Sequence, residues 1–120
     1  MPVKQKPLQP PIFANPPSWL GIPQGLPQRR SRAAILGVPF DCGTHATRIG
    51  SRLGPAAIRE QSANLRRIDP RTNLDLVQAL GLVDAGDVAL TPSVIDQSFA
   101  RIEAAVDAIL SRGAVAVTMG

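Results

Sequence analysis

The sequence predicts an α/β fold in which helices cover both faces of a parallel sheet. Short apolar segments recur at residues 33–39, 82–88 and 114–119, and segments with helical patterning separate them. Nearly continuous apolar strands are typical of parallel sheets that are buried on both faces, and strands that alternate with helices run parallel. The expected order is therefore strand, helix, strand, helix, strand.

Prolines mark the first strand and the first helix. Residues 33–39, AAILGVP, form an apolar run that stops at Pro39, which has no amide proton to give to a sheet. Gly54-Pro55 predicts the start of a helix, because proline suits the first helical position. Four residues then follow at helical spacing: Ala57, Ile58, Gln61 and Leu65.

The second long helix is expected between Thr91 and Gly113. Thr91-Pro92 offers a capping hydroxyl followed by proline, Arg112 suits the last turn, and Gly113 suits a left-handed exit. The secondary structure of the preceding stretch, residues 72–82, is ambiguous from its sequence. Five apolar residues in the helix step by three or four and predict one buried face: Ile95, Phe99, Ile102, Val106 and Ile109.

Residues 1–32 differ from the predicted domain at residues 33–120 because they are rich in proline and basic side chains. Eight of the twelve prolines lie in residues 1–27. Proline removes amide donors and disfavours helix before it, so this segment is expected to be extended, lying over the folded body or forming a disordered tail. Four side chains are candidates to anchor it: Phe13, Trp19, Leu20 and Ile22.

The net charge of +4 comes from this segment. Residues 1–40 carry five basic residues and no acidic one, whereas residues 41–120 carry eight arginines against nine carboxylates, a net charge of −1. Nucleic-acid modules place basic charge on the folded surface together with aromatic side chains. The sequence has three Phe, one Trp and no Tyr, so no nucleic-acid partner is expected.

Composition also bears on localisation. The chain is 44% hydrophobic and 18% charged, as in globular proteins, and no apolar run approaches the ~20 residues of a membrane helix. No secretory signal follows Lys4 and Lys6, and the single Cys42 cannot form an internal disulfide. A cytoplasmic protein without a membrane partner is expected.

Two aspartates follow predicted strands at the edge where α/β proteins bind ligands. Asp41 comes just after the first strand, and Asp87 lies at the end of the second. Each is either a functional carboxylate or a turn aspartate that bonds nearby amides. Position alone leaves both interpretations open.

The loop at residues 43–54 is rich in glycine but does not match a phosphate-binding pattern. The guanidinium groups of Arg48 and Arg52 can each bind a carboxylate through two hydrogen bonds. If the substrate were a cation, the arginines would repel it, so a structural role in bracing the loop is favoured. His45, as the only histidine, cannot form a metal site alone, and a place at a pocket rim is favoured. Cys42 has no activating neighbour in the sequence.

Taken together, residues 37–59 have a specific pattern. They read Gly37-Val38-Pro39-Phe40-Asp41, then Gly43-Thr44, then Arg48-x-Gly50-x-Arg52-x-Gly54-Pro55-x-x-Ile58-Arg59. This pattern resembles the N-terminal segment of the ureohydrolases, the arginase and agmatinase family, and within it the agmatinase group. Weaker similarities at residues 17–23, 83–88 and 114–120 extend the resemblance over residues 17–120. The loop between Thr44 and Arg48 is a residue longer than in many agmatinases, which leaves the guanidino substrate open.

The resemblance implies a three-layer α/β sandwich of the arginase type, of which only the first strands and helices are present. It also implies a hydrolase with a binuclear manganese centre, whose bridging hydroxide attacks a guanidinium carbon and releases urea and an amine. The same resemblance implies that the substrate is agmatine or a similar compound and that the enzyme acts in polyamine metabolism. It also implies assembly into a trimer or hexamer. Four residues are expected to line the substrate pocket: Asp41, Thr44, His45 and Arg48.

The family's metal-binding motifs, Gly-Asp-His-Ser, Asp-Ala-His-x-Asp and Ser-x-Asp-x-Asp, do not occur in these residues. The chain is therefore expected to hold no catalytic residue and no metal ligand, and to be inactive by itself as an incomplete part of the α/β domain. The alternative is a catalytically inactive, truncated α/β module that acts only through subunit association. An unrelated nucleotide-binding protein is disfavoured by the glycine spacing.

Overall fold

The computed structural model describes residues 18–41, 47, 50–91 and 93–120. Its centre is a parallel sheet of three strands, β1 (Ala33–Gly37), β4 (Val83–Asp87) and β5 (Val115–Met119), in the order β4-β1-β5. Two shorter strands, β2 (Ile68–Asp69) and β3 (Leu74–Asp75), form a separate antiparallel pair. The predicted α/β class with a parallel sheet is confirmed.

Within the described ranges, three α-helices accompany the sheet. They are α1 (Gly54–Ser62), α2 (Leu76–Leu80) and α3 (Ile95–Leu110), and two short 3-10 turns lie at Trp19–Gly21 and Ser51–Leu53. Pro55 stands in the first turn of α1, as its sequence predicts. The ambiguous stretch at residues 72–82 becomes β3 and α2, with the Asp75 carboxylate accepting a hydrogen bond from the Gln78 amide as an N-cap.

The first strand is the centre of the core, because β1 lies between the other two strands. All five of its residues are buried. Its alternating side chains reach two separate apolar clusters, one on each face of the sheet. Ala33 and Ile35 join the cluster that holds Val77 and Leu82, whereas Ala34 and Leu36 join the cluster beneath α3.

The buried face of α3 differs from the sequence prediction in its first half. Ile109 is fully buried and Ile102 and Val106 pack on the core, but Ile95 and Phe99 are 45% and 55% exposed. The helix begins at Ile95 with no side-chain cap, so the expected cap by Thr91 is wrong, and Pro92 lies outside the described residues. At the other end Gly113 has a φ of 78°, which confirms the predicted left-handed exit.

The described part of the N-terminal segment packs on the folded body. Ile22 is buried in the core cluster, and Trp19 and Leu20 pack against that cluster; Phe13 lies outside the described residues. Gln24 forms a parallel bridge with Asp84 at the outer edge of β4. The Gly25 amide donates to the Asp84 carbonyl, and the Asp84 amide donates to the Pro23 carbonyl. The segment therefore covers one edge of the sheet.

The opposite edge, at β5, has no paired strand in the described part of the chain. Val115 and Val117 are 63% and 47% exposed on this strand, whereas Met119 is buried. An apolar edge strand of this kind tends to pair with other polypeptides. Among the described residues, no helix has the length and apolar character needed to cross a membrane.

Gly54 permits α1 to begin against the end of β5. A Cβ atom at Gly54 would lie 3.0 Å from the Gly120 carbonyl oxygen, which belongs to the backbone and cannot rotate away. We expect Gly54→Val to destabilise the fold by about 1 to 2 kcal/mol, because the added methyl groups force the helix away from the strand. Ala56→Val, at an exposed position of the same helix, is the control for helix propensity and should cost less than about 1 kcal/mol. Urea unfolding measures both, and equal losses would contradict the packing argument.

Candidate functional site

Asp41 closes the base of the glycine-rich loop that follows β1. Its side chain is 2% exposed, and the carboxylate accepts two hydrogen bonds from the Arg52 guanidinium, at 2.7 and 2.9 Å, and a third from the Arg52 amide at 3.2 Å. A carboxylate and a guanidinium joined by two parallel bonds have a fixed mutual orientation. This pair ties the end of β1 to the turn before α1, so Arg52 has the bracing role that the sequence favours.

A second and more deeply buried ion cluster joins α1 to β4. The Arg59 side chain is 6% exposed and donates two hydrogen bonds to the Asp84 carboxylate, at 2.8 and 2.9 Å. It donates a further bond to Asp87, whose side chain is 41% exposed. The Asp84 carboxylate also accepts bonds from the Trp19 and Gly86 amides, each at 2.9 Å. The cluster thereby fastens the N-terminal segment as well.

A β-bulge places both carboxylates within reach of one arginine. Between β1 and β4 the register passes from Ile35 opposite Asp84 to Gly37 opposite Asp87, so β4 uses one more residue than β1. Gly86, with a φ of 78°, lies inside this extra step. Without the bulge, residues three positions apart on a strand would point to opposite faces.

Gly37 makes room for the Asp87 carboxylate. A Cβ atom at Gly37 would lie 1.8 Å from Asp87 Oδ1 and 3.0 Å from the Cβ atom of Pro55. The end of β1, the end of β4 and the first turn of α1 thus meet at a glycine with no space for a side chain. This close approach holds the carboxyl edge of the sheet together.

The ion pairs change the acidity of the groups that form them. The Arg52 guanidinium lowers the pKa of Asp41 below its usual range. Burial opposes ionisation of Asp84, but the bonds from Arg59 and from the Trp19 and Gly86 amides outweigh it and lower its pKa. The bonds from Asp84 and Asp87 raise the pKa of Arg59 despite its burial. Asp41, Asp84 and Arg59 are therefore charged at neutral pH.

The lowered pKa of Asp84 makes stability depend on pH in the acid range. An unfolded aspartate has a pKa of about 3.9, so below about pH 4 the unfolded state binds protons that the folded state does not yet bind. We expect the Asp84 contribution to be complete above about pH 5 and to be lost as the pH falls through the folded pKa. Urea unfolding of the chain and of Asp84→Asn across this range measures the effect. A slope against pH that Asp84→Asn leaves unchanged would contradict this assignment.

Of the four predicted pocket residues, the structure describes only Asp41. Thr44, His45 and Arg48 lie outside the described residues, as does Cys42, so their place at a pocket stays a prediction. The sequence pattern includes Arg59 and predicts Asp87 at the carboxyl edge, but it does not indicate that Arg59 bonds both Asp84 and Asp87. The spacing of Asp84 and Asp87 around Gly86 was the available signal, since a glycine inside a strand often marks a bulge.

A cavity of about 420 Å³ lies beside the ion cluster and is lined by Gln24, Gly25, Gly86 and the cluster itself. Within the described ranges no three His, Cys, Asp or Glu side chains come together as a metal site. Asp41 and Asp84 are each held by an arginine, and Asp87 accepts a bond from Arg59. These carboxylates therefore do not fit a binuclear manganese centre and serve to shape the edge of the sheet.

Comparison with protein families matches the chain to the arginase family over residues 31–120. The mitochondrial guanidino acid hydrolase of Homo sapiens is 33% identical to the chain over 120 residues, which cover 98% of the chain and 34% of that protein. The agmatinase of Bacillus subtilis is 40% identical over 109 residues, which cover 91% of the chain and 34% of that enzyme. The chain thus spans about a third of the length of these curated relatives.

Solved structures give the same result for the fold. Proclavaminate amidino hydrolase from Streptomyces clavuligerus superimposes with a TM-score of 0.76 at 25% identity, covering 88% of the chain and 35% of that structure. A Trypanosoma cruzi formiminoglutamase solved with Mn²⁺ superimposes with a TM-score of 0.65 at 29% identity, covering 87% of the chain and 35% of that structure. The sheet and helices of the chain are therefore part of the same α/β architecture.

Proposed function

The chain belongs to the arginase family, and from this membership we propose that it is the N-terminal part of a manganese-dependent hydrolase of guanidino compounds. The family match over residues 31–120 is the observation that carries the proposal. Relatives named for agmatine and for guanidino acids support a small guanidino substrate that is split into urea and an amine. Agmatine is the substrate that we favour, with guanidinobutyrate as the alternative.

The geometry of the carboxyl edge supports a substrate-side role for this part of the molecule. In α/β proteins ligands bind beyond the carboxyl ends of the strands, and Asp41 and Arg52 close a glycine-rich loop at that edge. A salt bridge with its carboxylate nine-tenths buried fixes both ends of the loop. We infer that the loop forms one wall of the substrate pocket in the complete enzyme.

Manganese in this proposal is held by other segments of the complete enzyme, because the described carboxylates are engaged by arginines. When bound, the metal pair would supply the hydroxide that attacks the guanidinium carbon. The described residues contribute the rigid edge against which the substrate is oriented. We further propose a cytoplasmic protein that assembles as a homo-oligomer, without a nucleic-acid or membrane partner.

A chimera tests the proposal directly. The chain would be joined after Gly120 to the part of the Bacillus subtilis agmatinase that lies beyond the matched region, and urea release would be measured with manganese. We expect urea from agmatine or guanidinobutyrate in the chimera, and none from the 120-residue chain alone or from the joined part alone. A folded chimera that binds manganese but releases no urea from any guanidino compound would contradict the proposed activity.

Substitutions in the loop test its place at the pocket. In the active chimera, Thr44→Ala and His45→Ala are expected to change the ratio of kcat/KM between agmatine and guanidinobutyrate. Bound manganese should stay the same, because neither residue is proposed as a ligand. Ala56→Val, on the exposed face of α1, is the control and should leave the ratio unchanged. Loss of manganese with an unaltered ratio would refute this assignment.

The alternative of an inactive module that acts through subunit association has one observation in its favour. The β5 edge is unpaired among the described residues and carries exposed Val115 and Val117. A chain that binds a full-length subunit but forms no active chimera would support this alternative. Measurements on the chimera and on the isolated chain therefore distinguish the two proposals.

A further inference from the structure

An apolar groove lies between α1 and the N-terminal segment, separate from the cavity beside the ion cluster. Its volume of about 350 Å³ lies in the range of pockets that take apolar groups. The 3-10 turn at Trp19–Gly21 forms one side, and α1 with the turn that follows it forms the other. We call it the α1 groove, and six described residues line it: Trp19, Ala57, Ile58, Gln61, Ser62 and Leu65.

The regularly spaced residues of α1 face this groove and not the core. Ala57, Ile58, Gln61 and Leu65 have the spacing that predicts the helix, and all four are exposed. Ile58 is 40% exposed and Leu65 is 57% exposed. The buried residues of the helix are three others: Pro55, Arg59 and Ser62. Helix α1 therefore presents an apolar surface that the described residues cover only in part.

The two polar side chains of the groove have hydrogen-bond partners within the molecule. The Ser62 hydroxyl accepts a bond from the Leu20 amide at 2.8 Å and donates one to the Arg59 carbonyl at 2.6 Å. Gln61 Oε1 accepts a bond from the Asn64 amide group at 3.3 Å. Among the described residues, no charged side chain lines the groove. An occupant is therefore selected by apolar contact and not by charge.

The chain itself supplies an apolar segment next to this groove. Residues 1–17 lie outside the described residues and are joined through Ser18 to Trp19. Their large apolar residues nearest to Trp19 are the neighbours Ile12 and Phe13. Phe13 is six positions before Trp19, so the chain between them spans up to about 20 Å. The helical part of the groove, residues 57–62, is about 8 Å long, so Phe13 can reach all of it.

Two properties of this segment favour binding within one chain. Pro10-Pro11 precedes the Ile12–Phe13 pair and Pro16-Pro17 follows it. Proline fixes φ near −65°, so the segment has less conformational freedom to lose on binding. A tethered segment also acts at an effective concentration of about 1 mM. A second copy of the chain at micromolar concentration is therefore the weaker competitor for the groove.

We propose that the side chains of Ile12 and Phe13 bind in the α1 groove of the same copy of the chain. This contact covers Ile58 and Leu65, which the described residues leave exposed. It also adds a second attachment of the N-terminal segment to α1, beside the hydrogen bond from the Leu20 amide. The proposal stands independently of the catalytic function proposed above.

The fluorescence of Trp19 tests the contact, because Trp19 lines the groove and is the only tryptophan of the chain. The segment variant carries Ile12→Asp and Phe13→Asp, and the groove variant carries Ile58→Asp. In each variant the equilibrium constant for docking should fall at least about tenfold, the factor expected from the loss of one buried apolar side chain. Acrylamide should therefore quench Trp19 more strongly than in the native chain, equally at about 1 and about 50 μM protein.

Two substitutions of the same kind are the controls. Val3→Asp adds an acid elsewhere in the N-terminal segment, and Leu110→Asp adds one at a 52% exposed position of α3. Neither should change the quenching of Trp19. A peptide of residues 8–17 at about 1 mM should restore protection in the segment variant but not in the groove variant. Circular dichroism verifies folding, and the segment variant with the peptide carries the test if the groove variant does not fold.

Equal quenching of Trp19 in the native chain and in the segment variant would overturn the proposal. So would protection of Trp19 that grows with protein concentration and persists in the segment variant, since a second copy would then occupy the groove. A peptide that fails to restore protection, or a loss of protection in Val3→Asp, would also contradict specific binding of Ile12 and Phe13.

Discussion

Replacing Arg59 by alanine is expected to lower the free energy of unfolding by about 3 to 5 kcal/mol, the range seen when one partner of a buried ion pair is removed. The change leaves the Asp84 carboxylate charged and only 1% exposed, with the amides of Trp19 and Gly86 as its remaining partners. A loss of this size is a large part of the stability of an ordinary domain.

The matched control is Arg101→Ala. Arg101 is an exposed arginine that donates to the Ala89 carbonyl and to Thr91. Its loss should cost less than about 1 kcal/mol, because an exposed polar contact contributes little. Urea unfolding of both variants, followed by circular dichroism, gives the comparison. Similar losses of unfolding free energy in the two variants would contradict a large contribution of the buried cluster to stability.

A double variant shows whether Arg59→Ala lowers the free energy of unfolding because it leaves the Asp84 carboxylate buried without its arginine. Asp84→Asn removes the charge, so the cost of Arg59→Ala should be smaller in this background than in the native chain. Strict additivity of the two losses would contradict the assignment. Asp87, being 41% exposed, should matter less, and Asp87→Asn is expected to cost about 1 kcal/mol or less.

Gly37→Ala is expected to destabilise the fold by about 3 kcal/mol, near the upper end of the cost of overpacking. The new methyl group would lie 1.8 Å from Asp87 Oδ1 and 2.8 Å from its Cγ atom, so the carboxylate has to leave its place. Movement of Asp87 removes its bond to Arg59. A single methyl group thus disturbs both the packing and the ion cluster.

Asp87→Ala in the same chain tests the cause. With the carboxylate gone, Gly37→Ala should become less costly, and the Cβ atom of Pro55 at 3.0 Å would account for the remaining loss. Ala34→Gly, at a fully buried position of the same strand, reports the ordinary cost of changing β1. A cost of Gly37→Ala that does not fall in the Asp87→Ala background would contradict the contact as its cause.

The cluster relates stability to the proposed function. Arg59 holds the last turn of α1 against Asp84 and Asp87 of β4, and Asp41 with Arg52 holds the loop that begins at the end of β1. Both sets of ion pairs therefore join a strand of the sheet to α1 or to the turn before it. In the proposed enzyme, where other segments hold the metal, this part of the molecule would fix positions without taking part in bond making.

Local sequence alone determined the class of fold and most of its elements. The apolar runs at β1, β4 and β5 predicted parallel strands, and Gly54-Pro55 and Gly113 predicted helix ends, because these signals depend on neighbouring residues only. The burial expected of β5 is wrong, since Val115 and Val117 are exposed. The family also followed from one stretch of sequence, residues 37–59, and the family comparison confirmed it.

Only the tertiary structure decided which strands lie at the edges and which side chains meet. The exposure of Phe99 depends on which other segments of the fold pack against the first half of α3. The contact of one arginine, Arg59, with both Asp84 and Asp87 depends on a bulge at Gly86 between strands about 50 residues apart in the sequence. Such contacts arise from the packing of separate elements, so no local pattern of residues specifies them.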